Sequence, residues 1–153
     1  MTASAVSGMT HDPRQARSER NAETYPITVH ACLEAMIRKI TNPTRIPVPD
    51  GKRIDEHVGR VHTGTETVSV AHMIAPPGWG EPFQQPTFDE VTIVVRGTVR
   101  VEHAGGMLDV GAGETVLVEA GERVRYSNPF DAESEYWAVC APAFSPEAAR
   151  RDA

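Results

Sequence analysis

Short runs of alternating apolar and polar residues fill the chain from about position 67 onward, and this pattern predicts a series of β-strands. The runs are separated by glycine-rich turn signals such as Gly97 and Gly113. The predicted strands are 67–75, 90–96, 98–103, 107–110, 115–119, 123–127 and 135–140. Many short strands with glycine-rich turns predict an all-β fold, an antiparallel barrel of the jelly-roll type.

The first part of the chain has a different pattern. Residues 1–23 are small, polar and charged without periodicity, which predicts a disordered N-terminal tail. Apolar residues between Val29 and Ile40 recur at helical spacing and predict a short amphipathic helix that ends before Pro43. Ile46 and Val48 alternate between prolines, as in an edge strand or an extended arm. Residues 53–61 fit a strand or irregular structure equally well.

These patterns divide the chain into four parts: a tail at 1–23, an N-terminal helix and arm at 24–64, a barrel at 65–144 and a C-terminal tail at 145–153. The C-terminal tail is predicted to contain one helical turn, because Ser145 suits an N-cap and Pro146 suits the first helical position. The length of 153 residues fits one compact core.

Charge and composition limit the binding partners and the cellular compartment that we expect for this chain. The chain has 15 Lys and Arg against 21 Asp and Glu, a formal net charge of −6, and no run of basic residues, so no nucleic-acid partner is expected. No run approaches the ~18 apolar residues of a membrane span, and the start lacks the apolar region of a secretory signal. Cys32 and Cys140 lie far apart and form no CxxC motif. A cytoplasmic protein without membrane attachment is expected.

Two spaced motifs identify a resemblance. The first contains Gly78, five residues, Gln84, one residue, Pro86, three residues, Glu90, six residues and Gly97. The second contains Gly113, five residues, Glu119-Ala120-Gly121, two residues, Val124, three residues and Asn128. This spacing resembles the two signature motifs of the cupin superfamily over roughly residues 65–142. The resemblance implies a cupin-type jelly-roll barrel.

The same resemblance implies that the metal ligands of a typical cupin have been replaced. In a typical metal cupin the positions of Gln84, Pro86 and Val124 would be histidines, and Glu90 would be the fourth ligand. Glu90, Gln84 and His72 together fall short of the two histidines and one carboxylate expected for non-heme iron. We therefore expect no metal and no other cofactor, while a metal-dependent cupin with unusual ligands remains as an alternative.

Glu90 is the main candidate for chemistry. Side chains alternate along a strand, so Glu90, Thr92 and Val94 share one face, and the resemblance implies that this face points inward. A carboxylate inside a barrel lined by valines is costly unless it is paired or protonated, and its pKa should rise. Glu90 then acts as a general acid or base, or as a polar anchor for a ligand. In the alternative interpretation it is a remnant of the family motif, satisfied by its neighbours.

Other residues complete the candidate site. Gln84 can polarise a substrate carbonyl or bond backbone at the barrel rim. His72 is either a core residue or the proton-transfer partner of Glu90. The predicted catalytic residues are Glu90, His72 and Tyr126, and the predicted substrate-binding residues are Gln84, Thr92, Trp79, Phe83 and Val124. The alternation predicts that Val124 and Tyr126 face inward, whereas it does not decide which of Tyr136, Trp137 and Cys140 do so.

Three functions agree with this pattern. The first is a metal-independent enzyme, an isomerase, cyclase or lyase that moves a proton on a small carbonyl-bearing metabolite. The second is a small-molecule-binding protein without catalysis. The third is the metal-dependent cupin with unusual ligands. The extended arm near Ile46 and the need to cover edge strands predict a homodimer.

Overall fold

Ten β-strands and one short helix make up residues 37–153, the part of the chain that the computed structural model describes. The strands are β1 (Thr44–Ile46), β2 (Arg53–Val58), β3 (Ser69–Ala75), β4 (Trp79–Gly80), β5 (Asp89–Arg96), β6 (Thr98–His103), β7 (Gly106–Gly111), β8 (Thr115–Val118), β9 (Val124–Asn128) and β10 (Ser134–Ala141), and the helix is α1 (Pro146–Ala149). The all-β prediction is confirmed. No helix in residues 37–153 is both long enough and apolar enough to span a membrane.

The strands form two antiparallel sheets. The larger sheet has the order β1-β2-β3-β10-β5-β8, and the smaller one has the order β4-β9-β6-β7. Some neighbouring strands are far apart in sequence, as in the pairing of β3 with β10 and of β6 with β9. This crossing between sheets is the jelly-roll arrangement, and it brings residues from opposite ends of the chain to one interior.

The main hydrophobic core lies between the two sheets. It contains buried valines from both sheets, among them Val94, Val99, Val101 and Val124, together with Tyr126 and Tyr136. A smaller cluster, made of Phe88, Cys140 and Ala149, lies under α1. Burial of these apolar side chains is the main stabilising contribution to such a fold.

β3 and the strands from β5 onward agree with the sequence prediction, with bounds that differ by at most two residues, whereas the two-residue strand β4 was not predicted. Residues 53–61, which the pattern left undecided, contain β2, and β1 is an edge strand of the larger sheet. The N-terminal helix prediction differs. Its last residues, 37–40, are not helical. Residues 1–36, including the predicted tail and most of that helix, lie outside the described residues.

The predicted C-terminal helical turn is confirmed. Ser145 caps α1, since its hydroxyl oxygen accepts a hydrogen bond from the Ala148 amide at 3.1 Å, and Pro146 occupies the start of the helix. Arg150 ends the helix in the left-handed conformation with φ 48°. The next residues pair with the chain near Gln84, because the Asp152 amide donates to the Phe83 carbonyl at 2.8 Å. This return pairs Arg151 with Gln84 in an isolated β-bridge.

Candidate functional site

A cavity of about 220 Å³ opens inside the barrel. Its walls are mainly apolar and include Ile46, Ile54, Met73, Ala138 and Phe144. The polar side chains that line it come from distant parts of the chain: Lys52, Glu56, Arg60, Ser69, Glu81, Gln84, Glu90, Tyr126, Tyr136, Cys140, Ser145 and Arg151. An apolar cavity with a few converging polar groups is the usual form of a small-molecule site.

Glu90 lies on β5 with its side chain in this cavity, and the residue is only 8% exposed. Burial raises the pKa of its carboxyl to about 7, and the nearby Glu81 carboxylate acts in the same direction. This rise in the pKa of Glu90 is opposed, but not cancelled, by Lys52, Thr92 and Arg151. The Thr92 hydroxyl donates a hydrogen bond to Glu90 Oε1 at 3.3 Å. Glu90 therefore changes its protonation state near neutral pH.

Glu90 shares the cavity with other charged side chains: the carboxylates Glu56 and Glu81 and the cations Lys52, Arg60 and Arg151. Glu81 Oε2 lies 4.0 Å from Lys52 Nζ and 3.3 Å from Arg151 Nη2. The side chains of Lys52 and Glu81 are each 7% exposed, whereas that of Arg151 is 43% exposed and lies at the mouth of the cavity. Arg151 Nε also approaches Gln84 Oε1 at 3.4 Å. The site thus contains a buried charge network.

Lys52 stays charged in this position. Burial by itself would lower the pKa of the ammonium, but Tyr136 and Glu81 outweigh burial, so the pKa of Lys52 is raised. Its Nζ atom lies 4.1 Å from the centre of the Trp79 ring and 5.4 Å from that of Tyr136. These aromatic faces stabilise a cation. The ammonium is therefore a permanent positive charge in the cavity wall.

Two buried tyrosine hydroxyls lack partners. Within residues 37–153, neither Tyr126 Oη nor Tyr136 Oη has a hydrogen-bond partner at normal distance and angle, although both residues are 2% exposed. Thr92 influences the titration of Tyr126, and Lys52 that of Tyr136, without closing such a bond. Burial raises the pKa of Tyr126 well above its ordinary value and that of Tyr136 to about 12, so both keep their protons. Buried polar atoms in folded proteins nearly always have partners. Both hydroxyls line the cavity and are available to donate hydrogen bonds there.

The structure brings together several residues that the sequence pattern proposed. Glu90, Gln84 and Tyr126 line the cavity, and Thr92 touches Glu90 from a fully buried position. Gln84 is 3% exposed, and its main-chain N–H and C=O pair with those of Val124. The predicted inward orientation of Glu90, Thr92 and Val94 agrees with their burial.

His72 lies away from the cavity, which differs from the sequence-based expectation. On β3 the residues that line the cavity are Ser69, Ala71 and Met73, so His72 is on the outer face. Its Nε2 atom is 2.9 Å from Glu135 Oε1, and its ring packs on Trp137. The outer face of β3 is apolar because it packs against Trp137 on β10, and the pattern of apolar residues alone does not separate this face from the interior.

Three further candidates also lie outside the cavity lining. Trp79 is 5% exposed in the core, where its Nε1 donates a hydrogen bond to Asp50 Oδ2 at 2.8 Å. The face of its ring lies 4.1 Å from Lys52 Nζ. Val124 is buried in the same core. Phe83 is half-buried, with the guanidinium of Arg123 4.1 Å from its ring centre. Trp79 and Val124 therefore contribute to the scaffold of the site, and Phe83 to the outer surface near Arg123.

Sequence reasoning missed Lys52, Glu81, Arg151 and Tyr136. Lys52 follows a turn and Arg151 lies in the C-terminal tail, so neither has a strand pattern that would indicate an inward face. Glu81 lies within the five-residue spacer between Gly78 and Gln84, and its charge among glycine, proline and aromatic residues was the only signal. On β10, Tyr136 faces inward and Trp137 faces outward, an orientation that the sequence pattern did not decide. Cys140 is also inward, and burial raises the pKa of its thiol.

The donor set does not fit the metal that the cupin motifs imply. Pro86 and Val124 offer no ligand atom, which leaves the Glu90 carboxylate and the Gln84 amide at the motif positions. In the part of the chain from 37 to 153, no three His, Cys, Asp or Glu side chains converge as a metal site would require. Lys52 and Arg151 add positive charge to the same cavity.

Comparisons with known proteins agree with this fold. The sequence model of the cupin domain family matches residues 71–140. An RmlC-like cupin from Shewanella frigidimarina superposes with a TM-score of 0.57 at 14% identity, covering 66% of this chain and 85% of the other. A sugar phosphate isomerase from a cupin superfamily, from Silicibacter pomeroyi, superposes with a TM-score of 0.54 at 18% identity, covering 70% and 73%. At these identities the likeness shows the fold alone.

One curated protein is much closer in sequence over part of its length. The protein named Endoribonuclease YbeY from Myxococcus xanthus (strain DK1622) is 50% identical to this chain over 107 residues, which are 70% of this chain. The chain spans 36% of the length of that relative. The match of residues 71–140 to the cupin domain family, together with the barrel shared with the RmlC-like cupin, supports a small cupin superfamily domain in this chain.

Proposed function

We propose that this cupin domain is a metal-independent enzyme that moves a proton on a small carbonyl-bearing metabolite, as an isomerase, cyclase or lyase does. The observation that carries the proposal is a buried carboxyl, Glu90, that lines an apolar cavity and has a pKa of about 7. A general acid or base works best when its pKa lies near the working pH. Glu90 meets this requirement and has open space beside it.

The neighbouring residues support the same chemistry. In the proposed step the Glu90 carboxylate accepts a proton from the carbon next to the substrate carbonyl. The electron pair of the broken C–H bond moves toward the carbonyl oxygen, which becomes an enolate. Tyr126 and Tyr136 supply hydroxyl donors for that oxygen, and the Lys52 ammonium stabilises its charge. The electron pair then moves back from the enolate oxygen, and Glu90 returns the proton to a different carbon of the enolate system or to the other face of the same carbon. This step gives the isomer and restores the carboxylate.

The first prediction concerns exchange of carbon-bound hydrogen. In deuterated buffer, the wild-type protein should speed the loss of the proton NMR signals next to the carbonyl in at least one probe of a panel of small ketones and 2-oxo acids. Glu90→Gln should slow this exchange by about 100-fold or more, because the amide cannot accept the proton. The matched control is Glu122→Gln, which changes an exposed carboxylate outside the cavity and should keep the wild-type rate.

Two results would contradict this assignment. If Glu90→Gln exchanges as fast as wild type, Glu90 is not the base. If wild type does not speed the exchange of any probe of the panel above its rate in buffer alone, the proposed proton-transfer function is wrong.

A second candidate function is ligand binding without conversion, with the barrel as a sensor or accessory module. The observation that favours it is the 50% identity to part of a protein named an endoribonuclease, of which this chain matches 36%. In such a protein the cupin domain would accompany a separate activity. The exchange experiment separates the two functions, since a module that only binds would shift the melting temperature with a probe and leave that probe unlabelled.

A further inference from the structure

Two of the three cations that line the cavity, Lys52 and Arg151, share one carboxylate at long range. Lys52 Nζ and Arg151 Nη2 both face Glu81 Oε2, at 4.0 Å and 3.3 Å. Charge-assisted hydrogen bonds are normally about 2.7–2.9 Å long, so both ion pairs are longer than a normal charge-assisted hydrogen bond. The Arg151 guanidinium has five N–H donors and uses two of them in these contacts with Glu81 and Gln84. Lys52 and Arg151 therefore have N–H donors that Glu81 and Gln84 leave unused.

The two tyrosine hydroxyls extend this surplus of donors. Tyr126 Oη and Tyr136 Oη are buried, line the cavity and have no hydrogen-bond partner in the described residues. Leaving a buried polar group unpaired costs about 1–3 kcal/mol, and a ligand oxygen would recover this cost. The hydroxyls lie deep in the barrel, whereas the Arg151 side chain is 43% exposed at the mouth of the cavity. A matching ligand would have a negative group that faces Arg151 and an oxygen acceptor at its other end that faces the two tyrosine hydroxyls.

We propose that the cavity binds a small 2-oxo carboxylate, with its carboxylate on Arg151 and its carbonyl oxygen next to Tyr126 and Tyr136. This inference rests on the proposed function and names the substrate class of that same site. The planar guanidinium can bind a carboxylate through two parallel hydrogen bonds. A short aliphatic group of the ligand would contact the apolar wall formed by Ile46, Met73 and Phe144.

The size and charge of the cavity favour this class over larger or more highly charged ligands. A volume of about 220 Å³ is below the ~300 Å³ at which drug-sized sites begin, so the ligand is small. Glu81 and Glu90 line the same cavity, and their carboxylates would repel a doubly charged phosphate more strongly than a singly charged carboxylate. A neutral ketone of the same shape would leave Arg151 without an anionic partner other than Glu81.

The test measures binding by titration calorimetry with two probes, 4-methyl-2-oxopentanoate and its neutral amide. Wild type should bind the carboxylate at least about tenfold more tightly than the amide, which corresponds to about 1.4 kcal/mol. Arg151→Gln should remove this preference and leave the affinity for the amide unchanged. Arg96→Gln is the matched control, since Arg96 is a similarly exposed arginine that pairs with Glu133 and Glu135 outside the cavity.

A second variant tests the carbonyl end. Tyr136→Phe removes one hydroxyl and keeps the ring that fills the core. It should lower the affinity for both probes by a similar factor, because both carry the 2-oxo group. The proposal is overturned if wild type binds the two probes equally, if it binds neither, or if Arg151→Gln keeps the preference for the carboxylate.

This outcome is independent of the exchange experiment. Loss of the carboxylate preference with continued Glu90-dependent exchange on a neutral ketone would remove the substrate class and keep the proton transfer. Tight carboxylate binding without exchange would keep the anion site and remove the enzyme.

Discussion

At the scale of single residues, the environment of Glu90 links stability to pH. The folded pKa of about 7 lies above the ordinary value of 4.5, so the unfolded chain releases this proton first as the pH rises. Below about pH 4.5 the carboxyl is protonated in both states, and its full contribution to stability is present. That contribution falls as the pH rises through the folded pKa, and the total loss is about 3 kcal/mol, since each tenfold change in proton affinity corresponds to about 1.4 kcal/mol.

Glu90→Gln should therefore flatten the pH dependence of stability. Between about pH 5 and about pH 8, the difference in unfolding free energy between the variant and wild type should shift in favour of the variant by up to about 3 kcal/mol. Urea denaturation at both pH values measures this shift, and the other titrating groups cancel in the difference. An unchanged difference would show that Glu90 is not buried as an acid in the folded protein.

Residue-level prediction from sequence succeeded where a strand pattern or a motif position existed. Glu90, Gln84 and Tyr126 were found in this way, and all three line the cavity. Lys52 and Arg151 were not found, because the chain folds a turn and a tail onto the barrel through contacts between residues far apart in sequence. His72 was placed on the wrong side because both faces of β3 are largely apolar. Alternation alone separates two faces but does not decide which one is inward.

At the scale of elements, the glycine turns explain why the strands were predictable. Gly97 joins β5 to β6 with φ 75°, a conformation that other residues adopt only with strain. A Cβ atom at this position would lie 2.5 Å from the Glu133 carbonyl oxygen and 3.0 Å from Ser134 Cα. Gly113, between β7 and β8, has φ 84° but no atom within 4 Å of an added Cβ. The two turns share the backbone requirement and differ in crowding.

This difference gives a matched pair of substitutions. Gly113→Ala should destabilise the fold by about 1–2 kcal/mol, the cost of a left-handed residue with a side chain. Gly97→Ala should cost about 1–3 kcal/mol more, because the turn must also move away from β10. Chemical denaturation of both variants measures the losses. Equal losses would mean that the close contact with residues 133–134 is relieved without cost.

At the scale of the whole molecule, the barrel keeps the spacing of a metal cupin while its interior carries a different set of groups. The jelly-roll topology was predictable because turn residues and strand lengths are local properties of the sequence. The charge network was not, since Lys52, Glu81 and Arg151 meet only when both sheets and the C-terminal segment are assembled. The fold therefore followed from local patterns, and the chemistry of the cavity required the tertiary structure.

Metal content is the property that tests this conclusion on the intact protein. Protein purified without chelators should contain far less than one equivalent of iron, manganese, zinc, nickel or copper per chain, because two of the four motif positions offer no donor atom. Elemental analysis by mass spectrometry measures this, and Glu90→Gln provides the baseline. A near-stoichiometric metal that disappears in Glu90→Gln would establish the metal-dependent alternative.

The contact between Lys52 and Trp79 has a practical consequence. The chain has two tryptophans, and only Trp79 touches a cavity-lining cation, whereas Trp137 lies on the outer face of the larger sheet against His72. With Trp137 replaced by phenylalanine, intrinsic fluorescence would come from a single indole beside the ammonium group. Its emission would then respond to any compound that displaces or screens that charge, which provides a label-free optical signal for screening compound collections.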